Sequence, residues 1–447
     1  MKDVEGNIVV EEGMCRQVWR VYFEKLANEE FEWDRNSLGP VRAVSGPAEE
    51  ITFEEVKVAI GKMKRKKAAG PSGVVAEMLG LAGDAGVQWM TDLCNAVVKE
   101  GRIPEDWRKS WMVSIYKGKG DALECGSYRG VKLLDHAMKV MERVFETRVR
   151  NRVKIDEMQF GFRVGKGTTD AIFIVQQLQE KYLGMKEELW MAFVDLEKAF
   201  DRVPREVLWW ALRELGVEEW IIMVIQSMYE GSTTAMKFKN GESSQFGVGV
   251  RVHQGSVLSP LLFIIVMEAL SRGSREGLPY ELLFADDLVL IAESEDMLME
   301  KLSKWKGDIE AKGLRVNLGK TKVMKCSVGD GKLVRSGKWP CAVCLRGVGN
   351  NSILCTVCSK WVHKRCSGIK GSLKEGAGYK CPVCMKQKQT KKETEDSKEI
   401  KLGRDTIECV DKFCYLGDMI GAGGGAEEAA RTELNVHGES LMSWLQF

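Results

Sequence analysis

The sequence predicts an α+β fold with a small metal-stapled insertion, and three observations predict it. Apolar residues recur at helical spacing from about 50 to 150, strand-like runs alternate with helices from 190 to 330, and seven of the 13 cysteines gather between 341 and 384. The 447 residues are 44% hydrophobic and 29% charged, which is ordinary globular material for two or more packed units. A formal net charge of +2 excludes a uniformly basic nucleic-acid binder while leaving local stripes such as "KMKRKK" at 62–67. The opening "MKDVEGNIVVEEGM" has no apolar core for a signal peptide, and the apolar stretch at 257–270 is too short and proline-interrupted to span a bilayer. An intracellular protein, nuclear or cytoplasmic, with no membrane partner is therefore expected. Cys15, Cys94, Cys125, Cys326, Cys409 and Cys414 lie scattered without paired spacing, as free thiols in a reducing compartment do.

The elements follow in order. "FEEVKVAIGKM" and "MKVMERVFETRVRNRV" carry helical spacing, so residues 50–150 read as mostly helical with Gly/Pro punctuation between. "WMAFVDL", "TTAMKFKNG", "QFGVGVRV" and "GLRVNLGKTKVMKC" read as strands, whereas "REVLWWALRELG" and "SPLLFIIVMEALSRGSR" read as helices. "MKQKQTKKETEDSKEIKLGRD" is charged and almost without apolar residues, the composition of a tether.

Within this frame, "YELLFADDLVLIAES" at 280–294 reads as strand, turn, strand with Asp286 and Asp287 at the tip. Adjacent carboxylates repel unless a cation neutralises them, although turn chemistry alone also favours Asp. A metal site therefore needs a third carboxylate. "LWMAFVDLEKAFDRVP" supplies one by ending a buried strand at Asp195. If that strand lies beside the 280–291 hairpin, Asp195, Asp286 and Asp287 converge on a patch able to hold two divalent cations about 4 Å apart, the arrangement used for in-line phosphoryl transfer. Hard oxygen ligands favour Mg²⁺ or Mn²⁺.

Cys341, Cys344, Cys355, Cys358, His363, Cys366, Cys381 and Cys384 form four pairs, enough for two tetrahedral Zn²⁺ sites. So short a segment has little core, and metal binding worth on the order of 10 kcal/mol per site would drive its folding.

"VDLEKAFDRV", "HQGSVLSPLLF", "FADD", "GLRVNLGKTKVM" and "FCYLGDMI" occur in the order found in reverse transcriptases of LINE-type (non-LTR) retrotransposons, which this chain resembles. "GPSGVVAEML", "SIYKGKGDALECGSYRGVKLL" and "QFGFRVGKGTTDAI" resemble the fingers motifs of that family, so the similarity covers roughly 50–325 and 405–420. The resemblance implies a right-hand polymerase: an N-terminal helical extension (1–49), fingers and the start of the palm (50–189), palm (190–335), an inserted finger (336–388), a charged linker (389–404), then a primer-grip hairpin and truncated thumb (405–447). It assigns Asp195, Asp286 and Asp287 as metal-binding carboxylates, with the backbone carbonyl of Leu196 as a further ligand. Phe200 is placed beneath the incoming sugar, excluding a 2′-hydroxyl. Gln254 and Gly255 would contact nucleotide and template. Lys320 would protonate the leaving pyrophosphate, and Lys117 and Arg129 would bind the triphosphate. Cys414, Tyr415, Leu416 and Gly417 would form the primer grip. The chain departs from the family pattern in "HQG" for the usual "RQG", which makes His253 a structural neighbour, and in "SYRG" for the commoner "YRP".

The cysteine frame with "WVHKRC" resembles a PHD finger, in which the first and third pairs hold one zinc and the second and fourth the other. PHD fingers read histone tails through aromatic cages. Here "LRGVGNNSIL" has neither aromatics nor acids, Trp339 is available to a cage, and Trp361 is expected to pack beside the second zinc. Lys360, Lys364, Arg365, Lys370 and Lys380 suit nucleic acid equally, and a purely structural insertion is the third reading.

The function expected is RNA-directed DNA polymerisation on an RNA template and DNA primer with deoxynucleoside triphosphates. "EEAARTELNVHGESLMSWLQF" offers one or two helices for a thumb, so the alternative is an inactive element relic retained as a zinc-finger module for chromatin or nucleic acid.

Overall fold

The computed structural model describes residues 1–250, 252–275, 280–327, 341–344, 352–356, 360–369, 379–386 and 399–423. Two units are distinct: Met1–Cys326 with Glu399–Phe447, and Ser327–Lys398.

In the first unit, β1 (Lys109–Tyr116) and β2 (Tyr128–Leu133) pair antiparallel, and β3 (Leu189–Val194) follows the long helix Thr168–Met185. β4 (Thr233–Phe238), with the short β5 (Gly241–Glu242) and β6 (Phe246–Gly247), joins β1 in parallel to complete one sheet. β7 (Glu281–Phe284) and β8 (Asp287–Ala292) form a hairpin, and β9 (Lys322–Cys326) ends just before the second unit. In that second unit β10 (Ser352–Leu354) pairs with β11 (Trp361–His363). Back in the first unit come β12 (Glu399–Leu402), β13 (Asp405–Cys409), β14 (Lys412–Tyr415) and β15 (Asp418–Gly421).

The second large sheet has the order β12-β13-β9-β3-β8-β7. Its central strand β3 is buried at every residue because both faces are covered. Trp190, Ala192 and Val194 point into the main core, where helix Ser259–Ser271 is buried along nearly its whole length; Leu189, Met191 and Phe193 point into a second core with Val175 and Tyr182. This two-sided burial explains why the strand reads as a continuous apolar run.

Local signals set the helix ends. Thr52 and Glu55 make a capping box before Phe53–Gly61, Asp135 accepts from Ala137 N–H at 2.9 Å to start His136–Arg152, and Gly101 takes the left-handed conformation after Gly83–Glu100. Arg148, 8% exposed, reaches back to Glu55 at 2.7 Å and ties the first two of these helices together. The N-terminal helix Glu12–Asn28 packs Trp19 and Phe23 against Met112, Met236 and Phe246, so residues 12–28 complete the β1-β2-β4 layer. Among the described residues, no helix is long and apolar enough to cross a membrane.

Three expectations need correction. The stretch 50–150 is mostly helical as expected but also contains the β1–β2 pair, and β1 pairs on its other side with β4, more than a hundred residues away, which no local window reveals. Among its described residues "QFGVGVRV" forms a strand only at Phe246–Gly247, because Val248 and Val250 donate instead to Ser232 O and Ala27 O, each at 3.0 Å. Residues 399–402, read as the end of the linker, form β12, whose alternation buries Ile400 and Leu402 and exposes Glu399 and Lys401. Linker residues 389–398, Trp339, Cys358, Lys370 and the helices expected over 427–447 lie outside the described residues.

Candidate active site and metal centres

β3 and β8 run antiparallel with Val194 opposite Leu288, and the same register carries Asp195 to the position facing Asp287. Asp286 occupies the two-residue turn between Phe284 and Asp287, so it sits at the tip while Asp287 already begins β8. The three carboxylates thus share one end of the sheet, as the sequence predicts. Burial pushes the Asp286 carboxyl above its ordinary range, and Asp195 pushes it further, while Arg129 and Lys320 pull it back. Asp287 is pushed up to about 7 by burial and then by the charges of Asp286 and Asp195. Lys320 Nζ stands 3.3 Å from Asp195 Oδ2 and gives the cluster its direct counter-charge.

The backbone after β3 is locked to the 315–321 loop. Asn317 N–H donates to Asp195 O and Glu197 N–H to Arg315 O, each at 2.8 Å, and Asp195 N–H donates to Thr321 Oγ1 at 3.4 Å. In this bridge Leu196 faces Val316, and its own carbonyl takes no part in the ladder. Phe200, half-buried, stacks on Phe263 with ring centres 4.1 Å apart, and Phe162 meets it edge-on at 6.0 Å.

Gln254 Nε2 donates to Asp201 Oδ1 at 3.1 Å, and Lys132 N–H donates to Gln254 O at 2.8 Å. Gly255 has φ +105°, and a Cβ there would lie 2.4 Å from Lys132 O, so only glycine admits this contact with β2. His253 is buried and stacks on Tyr229 at 4.2 Å, a structural position as expected. Lys117 Nζ donates to Gly126 O at 2.8 Å; burial lowers its pKa first, followed by the neighbouring Arg129, Lys198 and Lys320. These cations gather on the same side as the acids.

The hairpin β14–β15 turns through Leu416 and Gly417, both with positive φ, and Cys414 is exposed while Tyr415 is buried. Phe413 stacks on Phe193 at 4.5 Å, which holds the hairpin against the face of β3. Between them lies a cleft of about 320 Å³ lined by Asp195, Asp287, Lys320, Phe413 and Tyr415, among others. Of the four residues expected to grip a primer, Tyr415 lines this cleft beside Asp195 and Asp287.

Two supports are absent from the sequence reading. Glu142, fully enclosed in helix His136–Arg152, accepts from Ser256 Oγ at 2.6 Å and Val257 N–H at 3.0 Å, anchoring the loop after Gln254 and Gly255. Gln159 touches the turn that bears Asp286. A Glu inside an apolar helix face and a Gln two residues before a Gly were the available signals.

In the second unit the cysteine pairs interleave. Cys341, Cys344, His363 and Cys366 converge in one group, and Cys355, Cys381 and Cys384 in another, with ligand atoms within 4.8 Å of one another in each. Cys344 Sγ lies 3.4 Å from His363 Nδ1, and Cys355 Sγ lies 3.9 Å from Cys384 Sγ. Two thiolates about 2.3 Å from one tetrahedral ion stand about 3.8 Å apart, so the donor sets fit zinc. Burial raises the Cys341 thiol, but backbone donors from Cys344, His363 and Val343 bring it down to about 6. The remaining core is slight: Val362 is its one fully buried aliphatic residue among those described, while Trp361 is half-buried and pairs with Leu354 across the β10–β11 ladder.

Residues 115–368 match the family described as "Reverse transcriptase (RNA-dependent DNA polymerase)". The chain is 28% identical over 289 residues, 61% of its length, to the RNA-directed DNA polymerase from mobile element jockey of Drosophila funebris, and 30% identical over 258 residues, 57% of its length, to that of Drosophila melanogaster. It is also 26% identical over 260 residues, 56% of its length, to the Retrovirus-related Pol polyprotein from type-1 retrotransposable element R2 of Nasonia vitripennis. These matches cover 31%, 26% and 25% of the three relatives, so the chain spans between a quarter and a third of their length.

Proposed function

We propose, because the chain belongs to the reverse transcriptase (RNA-dependent DNA polymerase) family, that it is the polymerase core of a non-LTR retrotransposon enzyme. It extends a DNA primer with deoxynucleoside triphosphates on an RNA template. The observation that carries this reading is the convergence of Asp195, Asp286 and Asp287 at one sheet end, facing a cleft bordered by the β14–β15 hairpin.

The donor set fits divalent cations. Three crowded carboxylates, two of them held above their ordinary pKa by burial and by one another, call for a cation, and Leu196 O adds a fourth hard oxygen. Asp195, Asp286, Asp287 and Leu196 O would hold Mg²⁺ or Mn²⁺, which would supply acidification of a primer 3′-hydroxyl and charge stabilisation for a departing pyrophosphate. The chain's own residues do the rest. Lys117 and Arg129 hold the triphosphate, Lys320 stands ready to donate a proton to pyrophosphate, and Gln254, fixed through Asp201, meets the incoming nucleotide. Phe200, braced on Phe263, closes the space below the sugar. The two Cys/His groups of the second unit would each hold a zinc ion, and its PHD-like spacing suits a histone tail or nucleic acid. The relic alternative draws no support from a carboxylate cluster that is whole and assembled.

The test is primer extension on an RNA template with Mg²⁺ and all four deoxynucleotides. The wild type extends, and Asp286→Asn/Asp287→Asn falls by at least about 10³-fold, as loss of charge stabilisation at a reacting phosphoryl group implies. Equal extension by both proteins would refute the assignment.

A further inference from the structure

We propose that Gln159 is a positioning residue that fixes the turn carrying Asp286, and through it the spacing of the metal-binding carboxylates. The activity part of this inference rests on the polymerase reading above; the structural part does not.

Ala285 has φ +58°, a conformation that L-residues rarely adopt, at the first position of the turn between β7 and β8. In a two-residue hairpin the amide at that position points away from the ladder. Here it is buried, with Ala285 only 4% exposed, so it must find an acceptor other than water. Gln159 Oε1 is that acceptor, at 3.0 Å. The same oxygen accepts from Gly161 N–H at 2.9 Å, which fixes the side chain on its own loop.

That loop is itself tied to the edge of the sheet. Leu283 N–H donates to Met158 O at 2.9 Å, and Phe160 N–H donates to Leu283 O at 2.7 Å, forming one parallel bridge between Gln159 and Leu283. Gly161 completes the brace, because a Cβ there would lie 2.3 Å from Ala285 N. The loop backbone therefore presses on the turn where Gln159 bonds it.

The chemistry of the amide points the same way. Gln159 is 1% exposed and its Nε2 has no hydrogen-bond partner among the described residues. Both groups facing its oxygen are N–H donors, so the amide cannot be reversed to satisfy the nitrogen. A methionine would fill the same space without an orphaned amide. What Gln159 adds over packing is the two-donor acceptor that holds Ala285 at positive φ.

The test compares wild type with Gln159→Met, which keeps volume and loses the acceptor, and Gln159→Glu, which keeps an acceptor oxygen. Backbone hydrogen exchange is measured without divalent cations, and the Mg²⁺ concentration for half-maximal extension is measured alongside. Gln159→Met is expected to speed exchange within 284–287 about tenfold, the loss of one net hydrogen bond, while β3 keeps its protection. Its Mg²⁺ midpoint rises about tenfold, and its KM for primer–template stays within twofold. Gln159→Glu keeps the turn protected. If Gln159→Met does not fold, Gly161→Ala, which drives a methyl group into Ala285 N, is expected to give the same localised exchange. Exchange and Mg²⁺ midpoint within twofold of wild type would overturn the proposal, as would faster exchange spread equally over β3 and β8. Localised exchange in a protein whose wild type extends no primer upholds the positioning role and removes the polymerase reading; normal extension with an unaltered turn does the reverse.

Discussion

Asp287 opens β8 with Asp286 beside it and Asp195 facing it, and its carboxyl titrates near 7 instead of in the ordinary carboxylate range. The folded, cation-free protein therefore keeps a proton that the unfolded chain releases, so the contribution of this group to stability is full below about pH 4 and is lost as pH rises toward 7. Thermal melts without added divalent cation should show the wild type losing Tm between pH 5 and 7.5, with Asp287→Asn flattening that decline. An identical slope in the two proteins would remove Asp287 as its source. Phe200 makes the second prediction at this scale. If Phe200 lies beneath the incoming sugar as proposed, Phe200→Val should raise ribonucleotide incorporation relative to deoxynucleotide by at least about tenfold, since steric rejection by an apolar wall is worth on the order of 1–3 kcal/mol. Steady-state incorporation of each nucleotide checks it; unchanged discrimination places Phe200 in the core alone.

Elements with one strong local signal were legible: β3, the β7–β8 hairpin, helix Arg205–Glu214 and helix Ser259–Ser271 all stand where alternation or periodicity puts them. The β1–β2 pair was missed because its partner β4 is remote in sequence, and β12 because two apolar residues among charges look like linker. The same division holds at the site. The carboxylates were read from residues interrupting apolar strands, while Gln159 and Glu142 were not, since each acts through backbone amides brought near only by folding. In the second unit the cysteine groups interleave, first pair with third and second with fourth, as the resemblance to a PHD finger implies. Cys381→Ser breaks one group and is expected to lower bound zinc by about one ion per chain, measured by elemental analysis of purified protein. Retention of full zinc content would mean that Cys381 is not a ligand.

At the scale of the whole molecule, near-neutral net charge conceals a local division of charge. Arg129 and Lys320 act on Asp286, Lys320 pairs with Asp195, and Lys117 and Lys198 lie near those two cations, so the field around the acids is local and not a property of the chain's overall charge. The sheet that holds the acids also joins distant parts of the sequence: β9 precedes the second unit, and its parallel neighbour β13 follows it. That order has a consequence in time. A ribosome adding about 5–20 residues per second needs roughly 4–14 s to make Ser327–Lys398. β9 therefore emerges from the ribosome that long before β12 and β13, and until they follow, its outer flank is an unpaired edge on a nascent chain. The insertion thus acts as a translational delay built into the middle of a sheet, and the stretch of synthesis that makes it is when the polymerase core is most open to wrong pairing.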